Sequence, residues 1–176
     1  MRILVLYAHP VETSFCAALH ARVVDTLRAS GHQVDDCDLY AEGFDPVLSR
    51  EERLGYHDVP GNRAPVAAHV DRLMAAEALV LVHPVWNFGL PAILKGYLDR
   101  VFLPGVSFRM ENGVVAPNLT HIKRITAVTT YGGTRFRAWV LGDPPRKIVK
   151  RLLRATAPRA KVRYHALYDM NRNDAS

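Results

Sequence analysis

Between Ala78 and Leu103 the sequence ALVLVHPVWNFGLPAILKGYLDRVFL changes its hydrophobic period once, and that change limits the folds open to the chain. Ala78 to Val82 is a continuous apolar run, Val-rich, too short for a core helix and stopped by His83-Pro84. Such a run is a strand buried on both faces. After a connector with one glycine, Pro91 suits the first position of a helix, where a missing N–H costs nothing. Ile93, Leu94, Tyr97, Leu98, Val101 and Phe102 then recur at steps of three and four, giving one apolar stripe, with Lys95, Asp99 and Arg100 largely off it. In open α/β sheets ligands bind in the crevice outside the carboxyl ends of the strands. The connector Pro84–Gly89, with Trp86 and Phe88, is therefore a candidate site. An ordinary hydrophobic turn whose aromatics cap the core fits the same residues, and spacing alone does not choose between them.

The start of the chain repeats the pattern. Ile3 to Tyr7 is apolar, His9-Pro10 breaks the run, and Phe15, Leu19, Val23 and Leu27 mark a helix. Thr13 or Ser14 suits its N-cap, and the same unpaired N–H groups and positive dipole end suit a phosphate. Ser30-Gly31-His32 ends this helix, and Gln33 to Leu39 reads as an edge strand. Asp38 to Pro65 reads as a long irregular stretch, a length associated with function or mobility in compact domains. A helix over Val66 to Ala76 follows it. Beyond the central unit, Leu103 to Gly113 reads as a loop or hairpin turning at Asn112-Gly113. Ile122 to Thr130 is a further strand, ending in Thr129-Thr130-Tyr131-Gly132-Gly133. The paired glycines either let backbone approach a flat ligand or make a plain tight turn. Arg146 to Ala155 suits a basic helix and Lys161 to Leu167 a last strand.

A chain of 176 residues, 49% hydrophobic, suits one domain over residues 1–176. Cys16 and Cys37 form no metal or redox spacing. The opening MRILVLYAHP lacks the length and cleavage site of a signal peptide, and no run is long enough to span a bilayer, so a cytoplasmic protein without membrane insertion is expected. The formal charge of +6 is uneven: between Gly113 and Leu167 the only acidic residue is Asp143, among cations that include Arg135, Arg146, Lys147, Lys150 and Arg151. Such a face attracts phosphates or acidic partners, or is simply solvated; no nucleic-acid motif accompanies it, and no nucleic-acid partner is expected. The strand ends offer no paired carboxylates, no nucleophile–base pair and no metal spacing, so a bound cofactor is expected to supply the chemistry.

The run from Pro84 to Phe102 resembles the signature of the flavodoxin-like NAD(P)H:quinone oxidoreductases, the family of DT-diaphorase and of the small flavoprotein subunits of bacterial potassium-efflux systems. AHPVETSFCAALH, DLYAEGFDPVLSREE and FLPGVSF are similar to further segments of that family. The resemblance implies an α/β fold, a single doubly wound flavodoxin-like domain on a five-stranded parallel sheet of order 2-1-3-4-5. It implies a flavin-dependent NAD(P)H dehydrogenase acting on a quinone or similar acceptor, with hydride passing through flavin N5. The alternative it leaves is a regulatory flavoprotein subunit docked on a membrane transporter. Cofactor contacts would fall to His9, Thr13, Ser14, Phe15, Cys16, Ala17, Pro84, Val85, Trp86, Asn87, Phe88, Thr129, Thr130, Tyr131, Gly132 and Gly133. Tyr131, Gly132 and Gly133 would carry the catalytic role through backbone groups, and Phe108 would either wall the substrate pocket or pack under its own loop. Cys16 stands where relatives often have Asn, and its thiol also suits plain helix packing. The chain lacks the C-terminal extension of larger FAD-binding relatives, so FMN is expected, with FAD as the alternative. A homodimer with shared active sites is implied as well. The Tyr and His that some relatives place after the glycine loop are not evident in Thr134 to Trp139.

Overall fold

The computed structural model describes residues 1–173, so Asp174 to Ser176 of the expected domain lie outside the described residues. The chain runs β1 (Arg2–Tyr7), α1 (Phe15–Ala29), β2 (Gln33–Asp38), α2 (Arg50–Leu54), α3 (Ala67–Ala75), β3 (Ala78–Val85) and α4 (Ala92–Val101). It continues through β4 (Phe108–Glu111), β5 (Val114–Pro117), β6 (Arg124–Tyr131), α5 (Arg135–Val140), α6 (Pro144–Lys147), α7 (Arg154–Thr156), β7 (Lys161–Leu167) and α8 (Met170–Asn173). A 3-10 turn, Gly61–Val66, precedes α3, and a π-helical stretch, Ile148–Leu153, joins α6 to α7.

Five strands pair in parallel in the order β2-β1-β3-β6-β7, and β4 and β5 form a separate antiparallel ribbon. Numbered along the chain the sheet is 2-1-3-6-7 rather than the expected 2-1-3-4-5, because the ribbon is inserted between its third and fourth strands. Alternation along β1 divides the core. Leu4 and Leu6 join Leu79, Leu81, Ile125 and Ala127 on the face covered by α3, α4 and the π-helical stretch. Ile3, Val5 and Tyr7 join Val80 and Val82 on the face covered by α1. Each fully buried large aliphatic side chain contributes roughly 1.5–3 kcal/mol by leaving water, which makes a one-residue slip of register prohibitive.

Three local readings of the sequence change. β3 does not stop at His83-Pro84 but runs on to Val85, with Pro84 opposite Thr130 of β6. Proline is tolerated there because β1 ends at Tyr7, opposite Val82, so the last residues of β3 are a local edge. The stretch after Asp38 is ordered, with α2 opened by a capping box in which Ser49 and Glu52 exchange bonds. Arg100 is buried rather than off the apolar stripe: its Nη2 meets Glu52 Oε1 at 2.6 Å and its Nη1 donates to the Asp45 carbonyl. That guanidinium ties the loop to α4, and Gly96 permits the approach, since an added Cβ there would overlap Pro46.

Candidate functional site at the carboxyl edge of the sheet

The order of strands reverses between β1 and β3, and the loops after β1, β3 and β6 meet at that switch point. In the first loop His9 Nδ1 accepts the Val11 N–H at 3.0 Å, which leaves Nε2 as the nitrogen available to a ligand. Ser14 caps α1, its Oγ accepting from the Ala17 N–H at 3.1 Å. The N–H groups of Phe15 and Cys16, in the first turn, have no carbonyl four residues earlier inside the helix. Thr13 and Phe15 are exposed. Cys16 is 4% exposed among Val5, Tyr7 and Val24. Its side chain is packed in the core, where burial pushes the thiol up to about 12, and its backbone is the part left to face a ligand, in keeping with the helix-packing reading of this residue. Ala17 borders a cavity of about 500 Å³ with Tyr7, His9, His20, Asp38 and Tyr40. His20 was not legible as a site residue; its ring stacks on Tyr7 at 4.1 Å and its Nε2 lies 2.7 Å from Asp36 Oδ1.

The second loop is a tight turn closed by the Gly89 N–H on the Trp86 carbonyl at 2.8 Å. Asn87 and Phe88 occupy its middle with φ of 48° and 55°. Both are in the left-handed region, which costs an L-residue roughly 1–2 kcal/mol, and for a residue as bulky as Phe this is a true outlier. Trp86, 41% exposed, lies with its ring 5.6 Å from that of His9, so the first and second loops touch. Beneath them His83 is fully buried: Nδ1 lies 2.8 Å from the Pro84 carbonyl and Nε2 has no partner. Burial lowers its pKa to about 4, which keeps the imidazole neutral.

The third loop offers backbone. Among the described residues no protein acceptor takes the N–H groups of Gly132 or Gly133, while their carbonyls accept from Asn171 and Asp169. An added Cβ on Gly133 would touch the Phe88 ring at 3.6 Å, and one on Gly132 would crowd Asn171 Oδ1 at 2.7 Å. The glycines thus admit neighbouring side chains of this chain. Thr129 is buried with its hydroxyl toward β7. Tyr131 is also buried, its hydroxyl 2.6 Å from both Asp143 Oδ1 and the Tyr164 hydroxyl. Desolvation, reinforced by both partners, drives its pKa far above the usual range, so the expected catalytic role cannot lie in this side chain.

Pro84, Val85, Trp86, Asn87, Thr130 and Gly132 line one cavity of about 500 Å³, closed on its far side by Met170 and Asn171. Those last two had no local signal in the sequence, because they follow the last strand and return to the site only through the fold. Phe88 flanks this cavity from Gly133. Phe108 is not brought to it: the side chain borders a separate cavity of about 290 Å³ with Leu98, Phe102, Ile148 and Leu152, packed under its own ribbon. The sequence also hid a cluster of donor atoms from Cys37, Glu42 and His69, all within 4.8 Å of one another. Arg72 donates to both oxygens of Glu42 at 2.9 and 2.7 Å, and burial pushes the Cys37 thiol up to about 12, so the cluster is held as an ion-pair network.

Comparison with known proteins places the chain in a family. The family with the flavodoxin-like fold is matched over residues 1–157. An uncharacterized NAD(P)H oxidoreductase of Haemophilus influenzae is 37% identical over 116 residues, covering 64% of this chain and 56% of the relative. The rat NAD(P)H dehydrogenase [quinone] 1 is 30% identical over 149 residues, covering 74% of this chain and 54% of the relative. Among solved structures, the NAD(P)H:quinone oxidoreductase of Methanothermobacter marburgensis superposes with a TM-score of 0.83 at 25% identity, over 97% of this chain and 87% of that one. The chain belongs to the flavodoxin-like NAD(P)H:quinone oxidoreductase family. It spans about half the length of the curated relatives it matches. Among the described residues no helix is long and apolar enough to cross a membrane.

Proposed function

We propose that this chain is a flavin-dependent NAD(P)H oxidoreductase acting on a quinone or similar small acceptor. The observation that carries the reading is the meeting of three strand-end loops at the β1/β3 switch point, where flavodoxin-like sheets hold FMN. The residues present suit such a group. The start of α1, with Thr13, Ser14 and the N–H groups of Phe15 and Cys16, takes a phosphate, and His9 Nε2 adds a further polar contact. The cavity between Trp86 and Thr130 takes a flat ring against the indole. The N–H groups of Gly132 and Gly133 are placed to stabilise negative charge on that ring, an oxyanion-hole type of contribution.

A flavin held there would supply the redox chemistry, a hydride transfer from NAD(P)H to the acceptor. The protein orients the ring and excludes water from one side of it. His83 stays neutral beneath the site and adds no charge there at neutral pH. Phe108 would reach a substrate pocket only in a homodimer, where a second copy brings its ribbon across the site. Purified protein should retain FMN or FAD in its visible spectrum and oxidise NADH or NADPH faster when a benzoquinone is added. Flavin binding without turnover would favour a regulatory subunit, and no flavin binding would overturn the proposal.

A further inference from the structure

A concavity of about 440 Å³ lies between α5 and the π-helical stretch, lined by Arg135, Trp139, Arg146, Lys147, Lys150, Arg151 and Tyr168, among others. Its charge is uncompensated. Asp143, the only acidic residue between Gly113 and Leu167, is already engaged: Oδ1 accepts from the Tyr131 hydroxyl at 2.6 Å and Oδ2 from Arg146 Nε at 2.8 Å. Asp143 also lines the cavity but is paired with Arg146, and among the described residues Arg135, Lys147, Lys150 and Arg151 make no ion pair, so four cations face the cavity in excess of its one carboxylate. Arg146 is held in place as the base of the cavity, its Nη2 donating to the Tyr168 hydroxyl at 2.9 Å and its guanidinium lying over the Tyr164 ring at 4.7 Å. At the rim stands Trp139, 72% exposed, with the exposed Phe136 ring 6.0 Å away. An indole left in water beside a cluster of arginine and lysine suits a ligand that has both a flat ring and phosphate.

The position of the cavity narrows the choice of ligand. Tyr168 lines it and packs on Tyr131 at 4.6 Å, while the neighbouring Gly132 and Met170 line the cavity at the strand ends. The two cavities are thus lined by residues one or two positions apart in the chain around the Tyr131–Tyr168 contact, an arrangement suited to a ligand with a reactive ring at one end and a phosphorylated nucleoside at the other. A membrane surface would call for these cations on a convex face, whereas here they line a concavity.

We infer that this concavity binds the 2′-phosphorylated adenosine end of a dinucleotide, with adenine on Trp139 and the phosphate among Lys147, Lys150 and Arg151, so that the chain selects NADPH over NADH. The inference rests on the function proposed above for its link to the donor, and the pocket is tested without turnover. Titration calorimetry of the full chain, with and without added FMN, would compare adenosine 2′,5′-bisphosphate with adenosine 5′-monophosphate. The bisphosphate should bind at least tenfold more tightly, and the difference should shrink as salt is raised. The double variant Lys150→Glu/Arg151→Glu changes exposed residues and should abolish the difference, whereas Trp139→Ala should weaken both nucleotides by the same factor. Equal affinities, a preference that survives the double variant, or binding to anionic vesicles without binding of either nucleotide would each overturn the inference. Should flavin binding fail, the bisphosphate preference would still stand on its own. Quinone-dependent oxidation of NADH and NADPH with equal kcat/KM would remove the pocket's role and leave the reductase reading intact.

Discussion

The loops after β3 and β6 leave neighbouring strands paired at Val85 and Tyr131, yet they are built in opposite ways. The β3 loop stores conformational energy. Two non-glycine residues are left-handed, Trp86 faces solvent, and the imidazole of His83 below has one nitrogen without a partner. The β6 loop is relaxed and supported from below, because Tyr131 is bonded to both Asp143 and Tyr164. One loop offers side chains held in an unfavourable backbone, and the other offers backbone N–H groups over a satisfied polar network. Strain that persists in a folded chain is maintained by its surroundings and clusters at functional sites, which points to the β3 loop as the part shaped for a ligand.

The largest test of this contrast is pH. The His83 pKa in the folded chain, about 4, lies below its ordinary 6.5. Between those values the unfolded chain binds a proton that the folded chain does not, so stability falls as pH drops through this window, by about 3 kcal/mol in all. Chemical denaturation from pH 7 to 4 should show this slope, and His83→Gln should flatten it; identical slopes would mean that His83 is not sealed from water. On the β6 side, Tyr131→Phe should cost about 2 kcal/mol of unfolding free energy through its lost buried hydrogen bonds. Flavin affinity should change far less in that variant, and a parallel collapse of affinity would place the tyrosine hydroxyl in the site.

Removing the exposed indole with Trp86→Ala should weaken flavin binding about tenfold, the scale of one lost aromatic stack, with the melting temperature almost unchanged. Fluorescence quenching of the titrated flavin would report it. The smallest effect is expected from Phe88→Gly, which relieves left-handed strain and should leave stability unchanged or raise it by up to about 1 kcal/mol while loosening the ring. Destabilisation by more than that amount would show the Phe88 ring to be core rather than a strained site element.

Much of this arrangement was legible in the order of residues. Short apolar runs closed by His-Pro marked β1 and β3, and the stripe from Ile93 to Phe102 marked α4, because buried parallel strands and amphipathic helices impose their own periods. The end of β3 is not legible locally, since a proline normally stops a strand and only the early end of β1 makes this one acceptable. The burial of Arg100 is hidden as well, because a charge is rarely buried and its partner Glu52 is distant in sequence. Burial raises the pKa of the Glu52 carboxyl, but the Ser49 N–H and the Arg100 guanidinium outweigh it and hold the group below its usual value.

The sequence by itself determined the alternation of strands and helices, the loops that meet at the switch point and the concentration of cations after Gly113, because each follows from local period, turn chemistry or composition. Tertiary structure alone decided which way individual side chains face. It turned Cys16 and Tyr131 into the core, set Phe108 under its own ribbon, returned Met170 and Asn171 to the cavity, and gathered Arg135, Lys147, Lys150 and Arg151 around Trp139. Those outcomes depend on contacts between residues far apart in the chain, and local spacing carries no record of them.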